Sequence, residues 1–168
     1  VSLSVWVKPD TGETEGIIVG TLRSGHALNC KTFVIEANCN SGCFWDDGVC
    51  KDMGFSLSLL DGKFSGHVGV LGSCGGLFSS GSAISENVWY HLSMTYNGLE
   101  QVLLVNGIVA AHRPCNDGDS SGDILYQSPV FEIGSTASPF YGAVQEVHLY
   151  GSGVGTEVIR GVFRKQFS

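Results

Sequence analysis

Charge is scarce in this chain: Asp, Glu, Lys and Arg make up 15% of its 168 residues, against about 25% in an average soluble protein. Cations are scarcer still, 9 Lys and Arg against 16 Asp and Glu, for a formal net charge of −7. No Lys/Arg cluster occurs, so phosphates cannot be neutralised, and nucleic acid and anionic membrane surfaces are excluded as partners. Long apolar runs are absent too. The longest uncharged stretch, residues 64–85, counts 22 residues, but 12 of them are Gly or Ser, so no membrane span is expected. Nothing at the start of the chain resembles a basic, apolar leader, and the chain reads as a piece of a larger polypeptide with other domains. No N-x-S/T sequon is present, so no N-glycan is expected.

No CxxC pair occurs among the six Cys, and the spacings of Cys30, Cys39, Cys43 and Cys50 fit no common zinc pattern. Disulfides in an oxidising compartment are the expectation, placing the protein outside the cell, secreted or on the cell surface. Six Cys allow 15 pairings. Two bridges within the crowded segment and a third from Cys74 to Cys115 are expected.

What is abundant is Gly, 24 residues, twice the average share of about 7%, together with 43% apolar residues that exclude global disorder. A chain of this length buries roughly 69% of its unfolded surface, so a core is expected without help from crosslinks. The glycines fall between stretches of two-residue alternation. Leu3, Val5 and Val7 alternate with Ser2, Ser4 and Lys8, as in a strand with one face on a core and one in solvent. Phe55, Leu57 and Leu59 alternate with Ser56 and Ser58, and Asp61-Gly62 then turns the chain into residues 64–70, a hairpin whose two turn residues need positive φ. Residues 90–96, Asn97-Gly98, 102–105, Asn106-Gly107 and 108–111 repeat the device as a three-strand meander. Further strands are expected at 17–22, 32–36, 130–133 and 143–150. After Gly155, the stripe Val158, Ile159, Val162 and Phe163 marks a short helix that Thr156 can cap. About ten short strands without a βαβ rhythm predict an all-β fold, a two-sheet antiparallel jelly-roll sandwich with a short C-terminal helix.

In order and spacing the chain resembles the laminin-G-like, concanavalin-A-like jelly-roll family, especially its pentraxin-like branch. The resemblance rests on Ser4-Val5-Trp6-Val7-Lys8-Pro9, Phe55-Ser56-Leu57-Ser58-Leu59 before Asp61-Gly62, and Val88-Trp89-Tyr90-His91-Leu92 through Asn97-Gly98. It continues in Val105-Asn106-Gly107, Ile133-Gly134-Ser135 and Tyr141 to Tyr150 with its trailing helix. It implies one domain over residues 1–168, with a Cys-rich insertion at about 29–52, and it makes Trp6 and Trp89 core residues. Where the family commonly has Asp-Glu, this chain has Gln145-Glu146.

Two segments break the strand rhythm and are the places for function, 38–52 and 113–127. In the first, Trp45 beside Asp46 and Asp47 presents an aromatic face next to carboxylates, a grip for a sugar or a partner side chain; the competing structural role is a lid over disulfides. In the second, Asp117, Asp119, Ser121 and Asp123 alternate like the first half of a calcium loop, but the position of the closing Glu holds Ser128. Calcium is thus the one cofactor expected, against a plain solvated loop. Catalysis is not expected. His112 and Ser120 echo serine-protease motifs, yet eight positions cannot serve a triad assembled from distant segments. A glucanase would place paired carboxylates on alternate strand residues; here Glu146 is followed by His148, and Glu132 by Gly134. The expectation is a non-catalytic extracellular recognition or adhesion module that binds a protein or glycan through rim loops. The alternatives are a calcium-dependent lectin-like binder and an accessory domain of a carbohydrate-active enzyme.

Overall fold

Two dipeptide turns set the registers of the strands they join. Asp61 (φ 51) with Gly62 (φ 67) and Asn106 (φ 51) with Gly107 (φ 72) are both left-handed at both positions, the geometry that matches the twist of flanking strands. Asn97-Gly98 differs. Only Gly98 is left-handed, and the Asn97 side-chain oxygen accepts the N–H of Leu99 at 2.8 Å and of Glu100 at 3.0 Å, closing an Asx-type turn.

The computed structural model describes residues 1–21, 43–46, 49–52, 54–70, 75–115, 124, 131–135 and 138–165, with the backbone alone for 43–46, 49–52 and 165. Its elements are β1 (Ser2–Pro9), β2 (Gly16–Gly20), β3 (Cys43–Asp46), β4 (Val49–Asp52), β5 (Phe55–Leu60), β6 (Lys63–Val68), β7 (Gly76–Ser79), β8 (Tyr90–Tyr96), β9 (Glu100–Val105), β10 (Ile108–Pro114), β11 (Glu132–Ile133), β12 (Gly142–Tyr150) and α1 (Thr156–Lys165). One five-stranded sheet runs β10-β9-β8-β1-β12 and a second runs β11-β2-β5-β6-β7, with β3-β4 a separate hairpin; every strand pairing is antiparallel. The expected all-β two-sheet fold with a C-terminal helix is what the chain forms. The expected strand at 32–36 lies outside the described residues, and that at 130–133 is the two-residue β11.

The core lies between the sheets. Leu3, Val5 and Val7 of β1, Leu92 and Met94 of β8 and Leu103 of β9 meet Ile18, Val19, Phe55, Leu57, Leu59, Phe64 and Val68 from the second sheet. Each such side chain contributes about 1.5–3 kcal/mol on leaving water. Gly66 leaves no room for a side chain between the sheets, since a Cβ there would meet Met94 Sδ and the Phe78 ring at 2.8 Å.

The alternate face of the first sheet differs from expectation. Ser2 and Ser4 are buried rather than solvated, because α1 and the segment before it pack there. Ile159 joins Val102 and Leu104 in a second small core, with Tyr150 and Val154 at its edge, and Phe163 stacks on Trp6 at 5.9 Å. The helix starts differently too. Gly155 C=O accepts the N–H of Ile159, which makes Gly155 the cap and Thr156 the first helical residue, while Val158 faces out of the predicted stripe at 51% exposure. On β12 an extra residue opposite the Ser4–Trp6 step forms a bulge, with Glu146 at φ 52. Such a bulge turns side chains off the regular alternation, leaving Gln145 and Glu146 both exposed.

Candidate functional site

β1 begins, β8 ends and β12 ends at the same rim of the sandwich, and a cleft of about 870 Å³ opens there. One wall is the 96–99 turn and another the run Leu149, Tyr150, Gly151, Ser152 and Gly153; Val1, Phe55 and Ile124 complete the lining. The size is that of a small-ligand site, about 300–1,000 Å³.

The walls are held by hydroxyls. Ser2 Oγ donates to Thr95 Oγ1 at 2.8 Å and lies 3.2 Å from Ser152 C=O, and it accepts the N–H of Val154 at 2.8 Å. Thr95 Oγ1 donates to Val154 C=O at 3.0 Å. Residues otherwise suited to a solvent face thus fasten the glycine-rich connection onto the sheet. Gly153 has to be Gly, because a Cβ would stand 2.6 Å from Tyr96 O. Across the opening, the Asn97 turn lifts Leu99 to the lip, where it is 71% exposed. Tyr150 stacks with His148 at 6.5 Å.

Chemically the cleft offers aromatic and aliphatic surface beside one amide, the hydroxyls of Tyr96, Tyr150 and Ser152, and backbone polar groups. Among the described residues its lining contains no Asp, Glu, His or Cys side chain. Among the described residues no group of three or more His, Cys, Asp or Glu could hold a metal ion. Nearby, His112 and Glu100 meet at 2.7 Å across the β9-β10 pair, both about half exposed, and serve to join the strands. On the covered face of the sheet, burial and then the charge of His148 push the His91 ring from 6.5 down to about 4, so it is neutral at physiological pH. That ring is packed against Trp6 and Phe163, while its backbone N–H donates to Asn106 Oδ1.

Of the residues singled out in the sequence, Trp45 and Asp46 stand on β3, opposite Cys50 and Val49 of β4. Asp47, Asp117, Asp119, Ser121 and Asp123 lie outside the described residues. Part of the expected 38–52 loop is therefore a hairpin, and the Asp47-Gly48 pair between its strands in the sequence is the signal that announces it. Arg113 and Pro114 likewise belong to β10 rather than to a loop. Arg113 donates to Gly75 C=O at 3.1 Å and Leu77 C=O at 2.8 Å, fastening one sheet to the other. Cys115 is disulfide-bonded, and the expected Cys74 lies outside the described residues. Trp89, expected in the core, is 40% exposed, whereas Trp6 is half-buried beneath Phe163.

Fold and rim cleft together define a jelly-roll domain of concanavalin A-like type. The chain belongs to the laminin G group of the concanavalin A-like lectin/glucanase superfamily, whose family profile matches residues 1–159. No curated protein sequence matches it. Among solved structures, a Bacteroides ovatus protein described in terms of carbohydrate binding superposes with TM-score 0.58 at 14% identity, over 95% of this chain and 39% of the other. The binding domain of Paraclostridial mosquitocidal protein 1 gives 0.57 at 15% identity, over 99% and 37%. The ligand-binding domain of botulinum neurotoxin serotype D, solved with N-acetylneuraminic acid, gives 0.58 at 15%, over 98% and 36%. The chain thus spans well under half the length of these neighbours, and at such identities the likeness is one of fold.

Proposed function

We propose that this domain is a non-catalytic extracellular recognition module that takes a glycan or protein ligand in the rim cleft. The carrying observation is the cleft's composition: rings and aliphatic side chains beside an amide and three hydroxyls, without a carboxylate among the described lining residues. That mixture suits recognition through apolar contact with a few orienting hydrogen bonds. Family membership and the binding domains among its structural neighbours support the same reading. The disulfide at Cys115 supports an oxidising, extracellular setting.

The test is a glycan and protein-ectodomain array probed with the domain, with and without calcium. Tyr150→Ala and Leu99→Ala are each expected to weaken binding at least tenfold while circular dichroism stays unchanged. Unchanged affinity in both variants refutes the cleft. The calcium arm decides the lectin-like alternative, in which the segment carrying Asp117, Asp119, Ser121 and Asp123 holds the ion; no thermal stabilisation at millimolar calcium removes it.

A further inference from the structure

At the opposite end of the same sheet, about 26 Å away by the eight residues of β1 at ~3.3 Å each, lies a second surface of different make. Val7 pairs with Tyr90, so Lys8 stands beside Trp89, and the Lys8 ammonium lies 5.9 Å from the centre of the Trp89 ring. On the other side of β1, Pro9 pairs with Gly142, and Asp10 N–H donates to Tyr141 C=O at 3.1 Å. Phe140 packs on the core, so the next residue, Tyr141, turns outward and is 63% exposed. Two aromatic rings therefore flank one strand end. They are separated by two strand spacings and a two-residue offset, roughly 12 Å. Between and beside them stand polar groups: the Lys8 ammonium, the exposed Asp10 carboxylate, and the Asn87 amide, which donates to Thr11 Oγ1 at 2.7 Å.

We propose that Trp89 and Tyr141, with Lys8, Asp10 and Asn87, form a second binding platform that stacks the ring faces of a neutral, hydroxyl-rich saccharide. The argument is one of matching surfaces. A pyranose presents C–H groups on its face, which lie on aromatic rings, and hydroxyls on its rim, which both donate and accept. A strand end that alternates ring, ammonium, carboxylate and amide provides for both. An apolar protein partner would strip Lys8 and Asp10 of water without replacing those hydrogen bonds, which is unfavourable. An anionic lipid or polysaccharide would meet Asp10 and a net charge of −7. The exposure of Trp89, where the family pattern predicts a core residue, is what the platform explains. This proposal does not rest on the cleft at the other rim.

Affinity electrophoresis in gels cast with soluble neutral polysaccharides (a β-glucan, an α-mannan and a galactan) and with hyaluronan tests it. The wild-type domain is expected to be retarded by at least one neutral polysaccharide. Trp89→Ala and Tyr141→Ala should each weaken that retardation at least tenfold, Trp89→Phe should keep most of it, and Val158→Ala on the exposed face of α1 should leave it unchanged. Wild-type retardation of Trp89→Ala, absence of retardation by every neutral gel, or retardation by hyaluronan alone overturns the proposal. Loss of retardation only in Tyr150→Ala transfers the saccharide to the cleft and equally overturns it.

Discussion

Acidification tests the covered face of the first sheet directly. His91 is 1% exposed, lies against Trp6 and Phe163 at 5.3 and 5.7 Å, and has its ring pushed from 6.5 to about 4, first by burial and then by His148. In the unfolded chain the ring takes up its proton near pH 6.5; in the folded chain it resists until about pH 4. Between those values the unfolded state binds more protons, so stability falls as pH falls through the window and is unaffected by this group above it. The full difference corresponds to about 3 kcal/mol at ~1.4 kcal/mol per unit. Solvent screening along the flank, where His148 is exposed and Trp6 half-exposed, reduces the expected loss to about 1–2 kcal/mol. Urea unfolding from pH 7.5 to 4.5, run in parallel on the wild type and His91→Gln, isolates the effect, because carboxylate contributions cancel in the difference. His91→Gln should be less stable at pH 7.5, having lost its ring contacts, and should close the gap by about 1–2 kcal/mol at pH 4.5. Parallel profiles would refute the reasoning, for they would mean that the ring titrates alike in both states.

Two other perturbations read the packing. Ser2→Ala leaves the Val154 N–H and the Thr95 hydroxyl short of a partner, at an expected cost of about 1–3 kcal/mol, and loosens the 151–154 wall, which hydrogen exchange at Val154 reports. Gly66→Ala drives a methyl into Met94 and Phe78, and an overpacking loss of about 1–3 kcal/mol should appear as a lower midpoint in thermal unfolding.

Local chemistry made much of this molecule legible. Asp61-Gly62 and Asn106-Gly107 both turn as their residue types require, and the alternations at Leu3-Val5-Val7 and Phe55-Leu57-Leu59 put those side chains in the core. The helix stripe was readable because Ile159 and Phe163 keep helical spacing. What escaped was set by distant parts of the chain. Ser2 and Ser4 read as solvent-facing because nothing near them tells that a segment some 150 residues later covers them. β7 hid in a Gly- and Ser-rich stretch with too little apolar alternation to register. The cleft draws on residues 1, 96–99 and 149–153, each unremarkable alone, and becomes a site only when three strand ends meet. Trp89 misled for a related reason: a residue just outside β8 escapes the burial that the strand imposes on its neighbours. The Trp45 and Asp117–Asp123 segments were chosen for composition, and composition does not say where a segment lies.

The position of β1 also governs how the chain comes together in time. It is a middle strand, paired with β8 and β12, so Ser2 waits for Thr95 on one side and Tyr150 on the other. During synthesis at about 5–20 residues per second, β1 spends several seconds with both edges unsatisfied. Such long-range pairing makes for slow folding. Until β12 arrives, one edge of β1 leaves its N–H and C=O groups open to other chains, and β12, the last of the described strands, is the one that closes it off.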